Sequence, residues 1–182
     1  MKIIHANGSF YDIGMKVGRE MHGEIRAVCA AVEEQIQRIP LVDGIALDAR
    51  YEELLRAAYP DAIAYLRGLA AGARERFDAI IRAVHAEELL AWDGSSLAQK
   101  CSTIAWPGPR GWVVGHNEDF ARYHLGRMFV LDMQPNGLPR TVSCNYAVQL
   151  PCLAGVLNEN DANRPRAGRL WTISSPNTRW KR

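Results

Sequence analysis

The sequence predicts an α+β protein whose first half is helical. Two observations carry this expectation. Up to about residue 92 the apolar residues recur at the helical period, and after about residue 100 they gather in short β-branched and aromatic runs separated by Pro, Gly and Asn. The chain has 182 residues, 48% of them hydrophobic and 23% charged, which suits a globular domain with a sizeable core.

In order, Lys2 to His5 reads as a short strand ending at Asn7-Gly8. Ser9, with Asp12 three residues on, is an approximate capping box at the start of a long helix. Val17, Met21, Ile25, Val28, Val32, Ile36 and Ile39 are spaced by three or four residues and form its buried stripe. Gly14 and Gly18, one turn apart, leave bare backbone against which another element can pack closely. Pro40 and Asp43-Gly44 stop this helix. A second is expected over Asp48 to Tyr59. A third is expected over Asp61 to Ala71, with Pro60 in its first turn. A fourth runs from Arg74 to Trp92, where His85 at the stripe's edge reads as a buried or bridging imidazole. Later, Arg127 to Met133 and Thr141 to Tyr146 read as strands joined through Pro135-Asn136-Gly137, and Gln149 to Leu157 as a weak strand.

Charge and cysteines narrow the function. The net charge is +2, yet six basic and no acidic residues follow Asp161, so residues 1–161 carry four more acidic than basic side chains. A basic face on the folded body is missing, and nucleic acid is therefore not an expected partner. The basic tail reads as solvated or disordered. The opening MKIIHANGSF turns polar after two isoleucines, unlike a signal peptide, and no apolar run approaches the ~18 residues of a membrane span. A cytoplasmic protein without a membrane partner is expected. Cys29, Cys101, Cys144 and Cys152 are widely spaced and form no CxxC, so neither a disulfide frame nor a metal site is indicated. Cys29, Cys144 and Cys152 read as small buried hydrophobes. No cofactor is indicated.

The chemistry concentrates in Cys101 to Phe120, CSTIAWPGPRGWVVGHNEDF, which reads as a β-hairpin turning at Pro107, Gly108, Pro109 and Gly111. If Trp106 faces Trp112, then Cys101 lies opposite Asn117, with Asp119 diagonal on the same face and His116 and Glu118 on the other. A register slipped by one exchanges these partners for His116 and Glu118. Either way a thiol meets polar and acidic groups at a strand start.

GSFYDIGMKVG, YLRGLAAGA followed by AEELL, the Cys-Ser-Thr strand and GHNEDF recur in this order in one family. Over roughly residues 7–160 the chain resembles the penicillin (isopenicillin N) acyltransferase-like proteins. These are cysteine members of the N-terminal-nucleophile hydrolase superfamily, which also holds the choloylglycine hydrolases. The resemblance implies a four-layer αββα sandwich and cleavage of the chain's own Lys100–Cys101 bond, leaving an α/β heterodimer. It further implies Cys101 as nucleophile, Asp119 holding its freed amine, Asn117 ordering the site and Asn158, in GVLNEN, near the developing oxyanion. The implied activity is hydrolysis or acyl transfer on a small-molecule acyl amide or acyl thioester through an acyl-cysteine. Residues 1–100 correspond to a helical first chain, 101–161 to the start of the second, and 162–182 to a basic aperiodic tail outside the family's pattern.

Two departures qualify this. Lys100 stands where a small residue would ease autoprocessing. Only 81 residues follow Cys101, which is short for two sheets and their helices, so a C-terminally truncated, impaired member is expected. The tail reads as the product of a shifted frame or early stop. The alternatives are a choloylglycine-hydrolase-like amidase, an inactive truncated remnant, and a helical interaction module over residues 9–92.

Overall fold

The computed structural model describes residues 1–38, 44–86, 89, 102–108, 111–117, 121–151 and 156–158. Strand β1 (Lys2–Gly8) alternates faces, burying Ile4 and Ala6 while Ile3, His5 and Asn7 stay exposed. At Ser9 the chain enters α1 (Phe10–Glu20) through a full capping box. The Asp12 amide donates to Ser9 Oγ (3.2 Å) and the Ser9 amide to Asp12 Oδ2 (3.0 Å). The Ser9 hydroxyl, which donates to Asp12 Oδ2 (2.5 Å), and then the Ser9 amide hold the Asp12 carboxyl below its usual range.

The single long helix expected over residues 9–39 is two helices, α1 and α2 (His22–Ile36), that meet at Met21. Met21 leaves helical geometry (φ −116°, ψ 20°), yet its amide still donates to Val17 O and its carbonyl accepts from the Ile25 amide, each at 2.9 Å. The bend is invisible to periodicity because the stripe continues through it: Val17, Met21 and Ile25 are all buried. Gly18 and Gly23 weaken helix propensity on both sides of the bend.

Helix α3 spans Gly44–Ala58, and α4 spans Pro60–Ala73 with the proline at its first turn, as expected. Arg74 ends α4 in the left-handed region (φ 54°), with its amide on Ala71 O and the Glu75 amide on Ala70 O. That stop explains why α5 begins at Phe77 instead of Arg74 and runs to Val84.

Helices α1 and α4 approach until backbone meets backbone. A Cβ built on Gly14 or Gly18 would overlap the carbonyl oxygens of Tyr65 and Leu69. One on Gly68 or Gly72 would overlap those of Tyr11 and Met15. The two Gly-x-x-x-Gly faces therefore interlock reciprocally, and the close-packing reading of Gly14 and Gly18 holds.

These helices cover one face of a four-stranded sheet in the order β1-β4-β5-β6, formed with β4 (Met128–Pro135), β5 (Thr141–Tyr146) and β6 (Val156–Asn158). β1 runs parallel to β4, pairing Ile4 with Leu131 and Ala6 with Met133; the remaining pairs are antiparallel. Phe129, Leu131 and Met133 meet α1 and α4 residues Ile13, Val17, Leu66 and Leu69 in one core. The turn after β4 places Gly137 at φ +72° and ties back to β1 through the Asn136 amide on Gly8 O (2.9 Å). Within the expected weak strand at 149–157, only Val156–Asn158 is strand, and 152–155 lie outside the described residues. The hairpin β2 (Ser102–Gly108) and β3 (Gly111–Asn117) forms a separate two-stranded sheet. The architecture is mixed α+β with a helical first half. Among the described residues no helix is long and apolar enough to cross a membrane.

Before β4 a single 3-10 turn (Arg122–His124) sinks His124 into the core, between the rings of Tyr123 and Tyr146 at 4.6 and 4.8 Å. Burial, helped by the charge of Arg127, pushes the imidazole down to about 3.

Two tests follow from this packing. Gly14→Ala and Gly68→Ala should each lower unfolding free energy by about 1–3 kcal/mol, whereas Gly23→Ala, with open space around its Cβ position, should raise it by up to about 1 kcal/mol. Urea titration reads both signs. Second, His124 resists protonation when folded but not when unfolded. Stability is therefore intact above about pH 6.5 and falls, by at most about 1.4 kcal/mol per pH unit, as pH drops toward the folded value. His124→Phe should flatten that slope in a pH series of denaturation curves; an unchanged slope would refute the assignment.

Candidate functional site

The hairpin carries the candidate chemistry, and its register decides what faces what. β2 and β3 pair antiparallel with Ser102 opposite Asn117, Trp106 opposite Val113, Pro107 opposite Trp112 and Gly108 opposite Gly111. This is the slipped register. Of the two registers the residues left open, the one in which Trp106 faces Trp112 and Asn117 faces Cys101 is not formed, and Asn117 stands opposite Ser102. The cause lies in the turn. Pairing Gly108 with Gly111 leaves two residues between the strands, the favoured hairpin loop, whereas the other register would need one or three. Cys101, Glu118 and Asp119 lie outside the described residues.

Asn158 is the last residue of β6, opposite Thr141 at the edge of the four-stranded sheet. Asn117 closes the hairpin. Among the described residues the two asparagines thus belong to different sheets.

Two polar clusters escaped the sequence reading because their members are far apart in the chain. On the sheet face away from the helices, the parallel register sets His5 beside Asp132. Their Nδ1 and Oδ2 are 2.8 Å apart, and Arg140 donates to the same carboxylate through Nε (2.7 Å) and Nη2 (2.6 Å). The Arg140 fork, ahead of His5, holds the Asp132 carboxyl below the usual range. His5 remains largely exposed.

The second cluster ties three helices. Arg82 on α5 donates from Nε to Asp48 Oδ2 on α3 (2.8 Å) and from Nη1 to Glu33 Oε2 on α2 (2.6 Å). His85 donates from Nδ1 to Ile81 O (2.8 Å). Its Nε2 stands 3.1 Å from Asp48 Oδ1, within ion-pair reach though off the hydrogen-bond line. Tyr51 stacks on the ring with centroids 4.4 Å apart. The reading of His85 as a buried, bridging imidazole holds. No sequence signal could have shown this cluster, since Glu33, Asp48 and Arg82 converge only through helix packing.

The cysteines separate by environment. Cys29 is buried on α2, with its thiol 3.8 Å from Ala79 O; burial, then the charge of Glu75, push it up to about 12. At neutral pH it is a thiol and no nucleophile. Cys144 is only half-buried on β5, against the expectation of a buried hydrophobe, and Cys152 lies outside the described residues. Among the described residues no group of three or more His, Cys, Asp or Glu is placed to hold a metal ion. No family model matches the chain, and no curated protein matches it.

Arg82→Ala would strand Asp48, whose side chain is 10% exposed, and should cost about 3–5 kcal/mol. Glu33→Gln removes only the half-exposed partner and should cost less than about 1 kcal/mol. Equal losses in chemical denaturation would contradict this account.

Proposed function

We propose that the chain is a penicillin acyltransferase-like hydrolase by lineage, acting on amide or thioester acyl groups through an acyl-Cys101 intermediate. One observation supports this reading above the others. Ser102, which follows Cys101, opens β2, and Asn117, two residues before Asp119, closes β3 directly opposite it. The thiol-bearing and carboxylate-bearing segments therefore leave the hairpin at the same end. The αββα sandwich implied by the resemblance would take this hairpin as part of its second sheet, beside the sheet of β1, β4, β5 and β6.

The chemistry requires a free amine. In a peptide bond the Cys101 nitrogen is delocalised and no base. Attack of Cys101 Sγ on the Lys100 carbonyl transfers the acyl group from nitrogen to sulfur, and water then hydrolyses the thioester. This releases an α-amine whose ordinary value of about 7.7–8.0 suits proton transfer near neutrality. That amine takes the thiol proton as sulfur attacks a substrate carbonyl. The leaving amine or thiol departs protonated, and water or an acceptor amine discharges the acyl-enzyme. The resemblance implies that Asp119 would hold and polarise the amine and that Asn158 would serve the oxyanion; Asn117, which stands opposite Ser102 and not Cys101, would order the site from the neighbouring position. A choloylglycine-hydrolase-like amidase would use the same groups.

The second reading, an inactive remnant, is favoured by Lys100 before the nucleophile and by Ile104 and Trp106, which stand 62% and 45% exposed on one hairpin face. An uncovered apolar strand surface of this kind is an aggregation liability.

Intact-mass spectrometry of the purified chain beside Cys101→Ala separates the readings. Processing should give two masses meeting at Lys100/Cys101 in the wild type alone. The two pieces should co-elute without denaturant, because β1 from the first is hydrogen-bonded to β4 of the second. One uncut mass in both proteins would sink the self-processing enzyme and leave the remnant.

A further inference from the structure

A groove of about 820 Å³ runs between α2 and the start of α5, within the size range of small-molecule sites. Gly23, Ala27 and Ala30 of α2 follow one another at helical spacing and give it a smooth wall. Around it, charges of both signs are paired, but not equally. Arg82 is committed to Asp48 and Glu33, and Arg76 to Asp78 through Nε and Nη2. Arg26 and Glu75 differ. Arg26 Nε stands 3.7 Å from Glu75 Oε2, an ion pair too long for a hydrogen bond. The Arg26 side chain is 66% exposed, and its terminal nitrogens meet no other acceptor among the described residues. Glu75 uses its other oxygen, Oε1, to accept from the Arg76 amide (3.0 Å). The groove therefore presents one available cation beside one available anion, over a wall of small residues.

We propose that this groove binds a small zwitterion of the α-amino-acid class, its carboxylate on the Arg26 fork, its ammonium on Glu75 Oε2 and its side chain along Gly23, Ala27 and Ala30. An α-amino acid carries its two charges on one carbon, which matches neighbouring groups of opposite sign. A dicarboxylate or a diamine would bring one like charge against Arg26 or Glu75. A mostly exposed ion pair at 3.7 Å contributes little, so a ligand that takes over both partners gives up little in exchange. The guanidinium adds planar, two-pronged recognition of a carboxylate. Glu75 is 20% exposed, and its charge reaches the groove floor, where it reinforces the protonated state of Cys29. The inference is independent of the acyl-transfer reading.

Gly23, on the groove wall, offers a place to fill it. A Cβ at Gly23 meets nothing within 4 Å, so Gly23→Leu projects into the open space. Isothermal titration of the full chain with L-leucine is the test, with L-leucinamide and 4-methylpentanoate each lacking one of the two charges. Saturable binding of L-leucine is expected. Both comparators should bind at least about tenfold more weakly, and so should L-leucine to Arg26→Gln, Glu75→Gln and Gly23→Leu. Arg26→Gln, at the exposed rim, keeps the test decisive should Gly23→Leu fail to fold. Absence of saturable L-leucine binding up to about 10 mM, or unchanged affinity in any folded variant of the three, overturns the proposal.

Discussion

The structure depends on one contact, the seam where α1 meets α4 with no side chain between them. Four glycines, two from each helix, let carbonyl oxygens of one helix occupy the space that β-carbons would fill on the other. This fixes both position and rotation of the pair, because neither helix can slide a residue without driving a side chain into a backbone. α1 is in turn joined to β1 through Gly8 and the Ser9–Asp12 box, and β1 pairs with β4. The seam thus sets how the helical half lies on the strands of the second half. Two of the sequence stretches behind the family resemblance, GSFYDIGMKVG and YLRGLAAGA, are the two sides of this seam. Their glycines have a packing reason to be there whatever the chain's chemistry.

Where the helices diverge from the seam, charge holds them. Arg82 bridges Glu33 and Asp48 and so ties α2, α3 and α5, while His85 closes the far side against Asp48 and the end of its own helix. Arg82 is the member the cluster depends on, since removing it takes from the buried Asp48 its hydrogen-bonded partner. In the second half of the chain, His124 is enclosed by two tyrosine rings.

Much of this was legible in the residues. The Ser9 cap, the Pro60 start, the Gly14–Gly18 approach and the β5 strand are local statements, governed by spacing within one turn or by one residue's backbone limits. The bend at Met21 was hidden because the apolar stripe runs on through it, and α5 starts late because Arg74 takes a left-handed conformation that no composition rule assigns to arginine. Of the candidate site, the hairpin was readable. The register was open until the Gly108–Gly111 pairing closed it, which moved Asn117 from Cys101 to Ser102.

By itself the sequence determined the mixed α+β class, the helical first half and the hairpin. All of these follow from periodicity, turn chemistry and neighbours within a few positions. Tertiary structure alone decided the parallel pairing of β1 with β4, the meeting of His5 with Asp132 and of Glu33 and Asp48 with Arg82, and the open Arg26–Glu75 pair. Such contacts join residues dozens of positions apart. They exist only once the glycine seam has fixed the helices, because a charge has no preferred partner until packing brings one within reach.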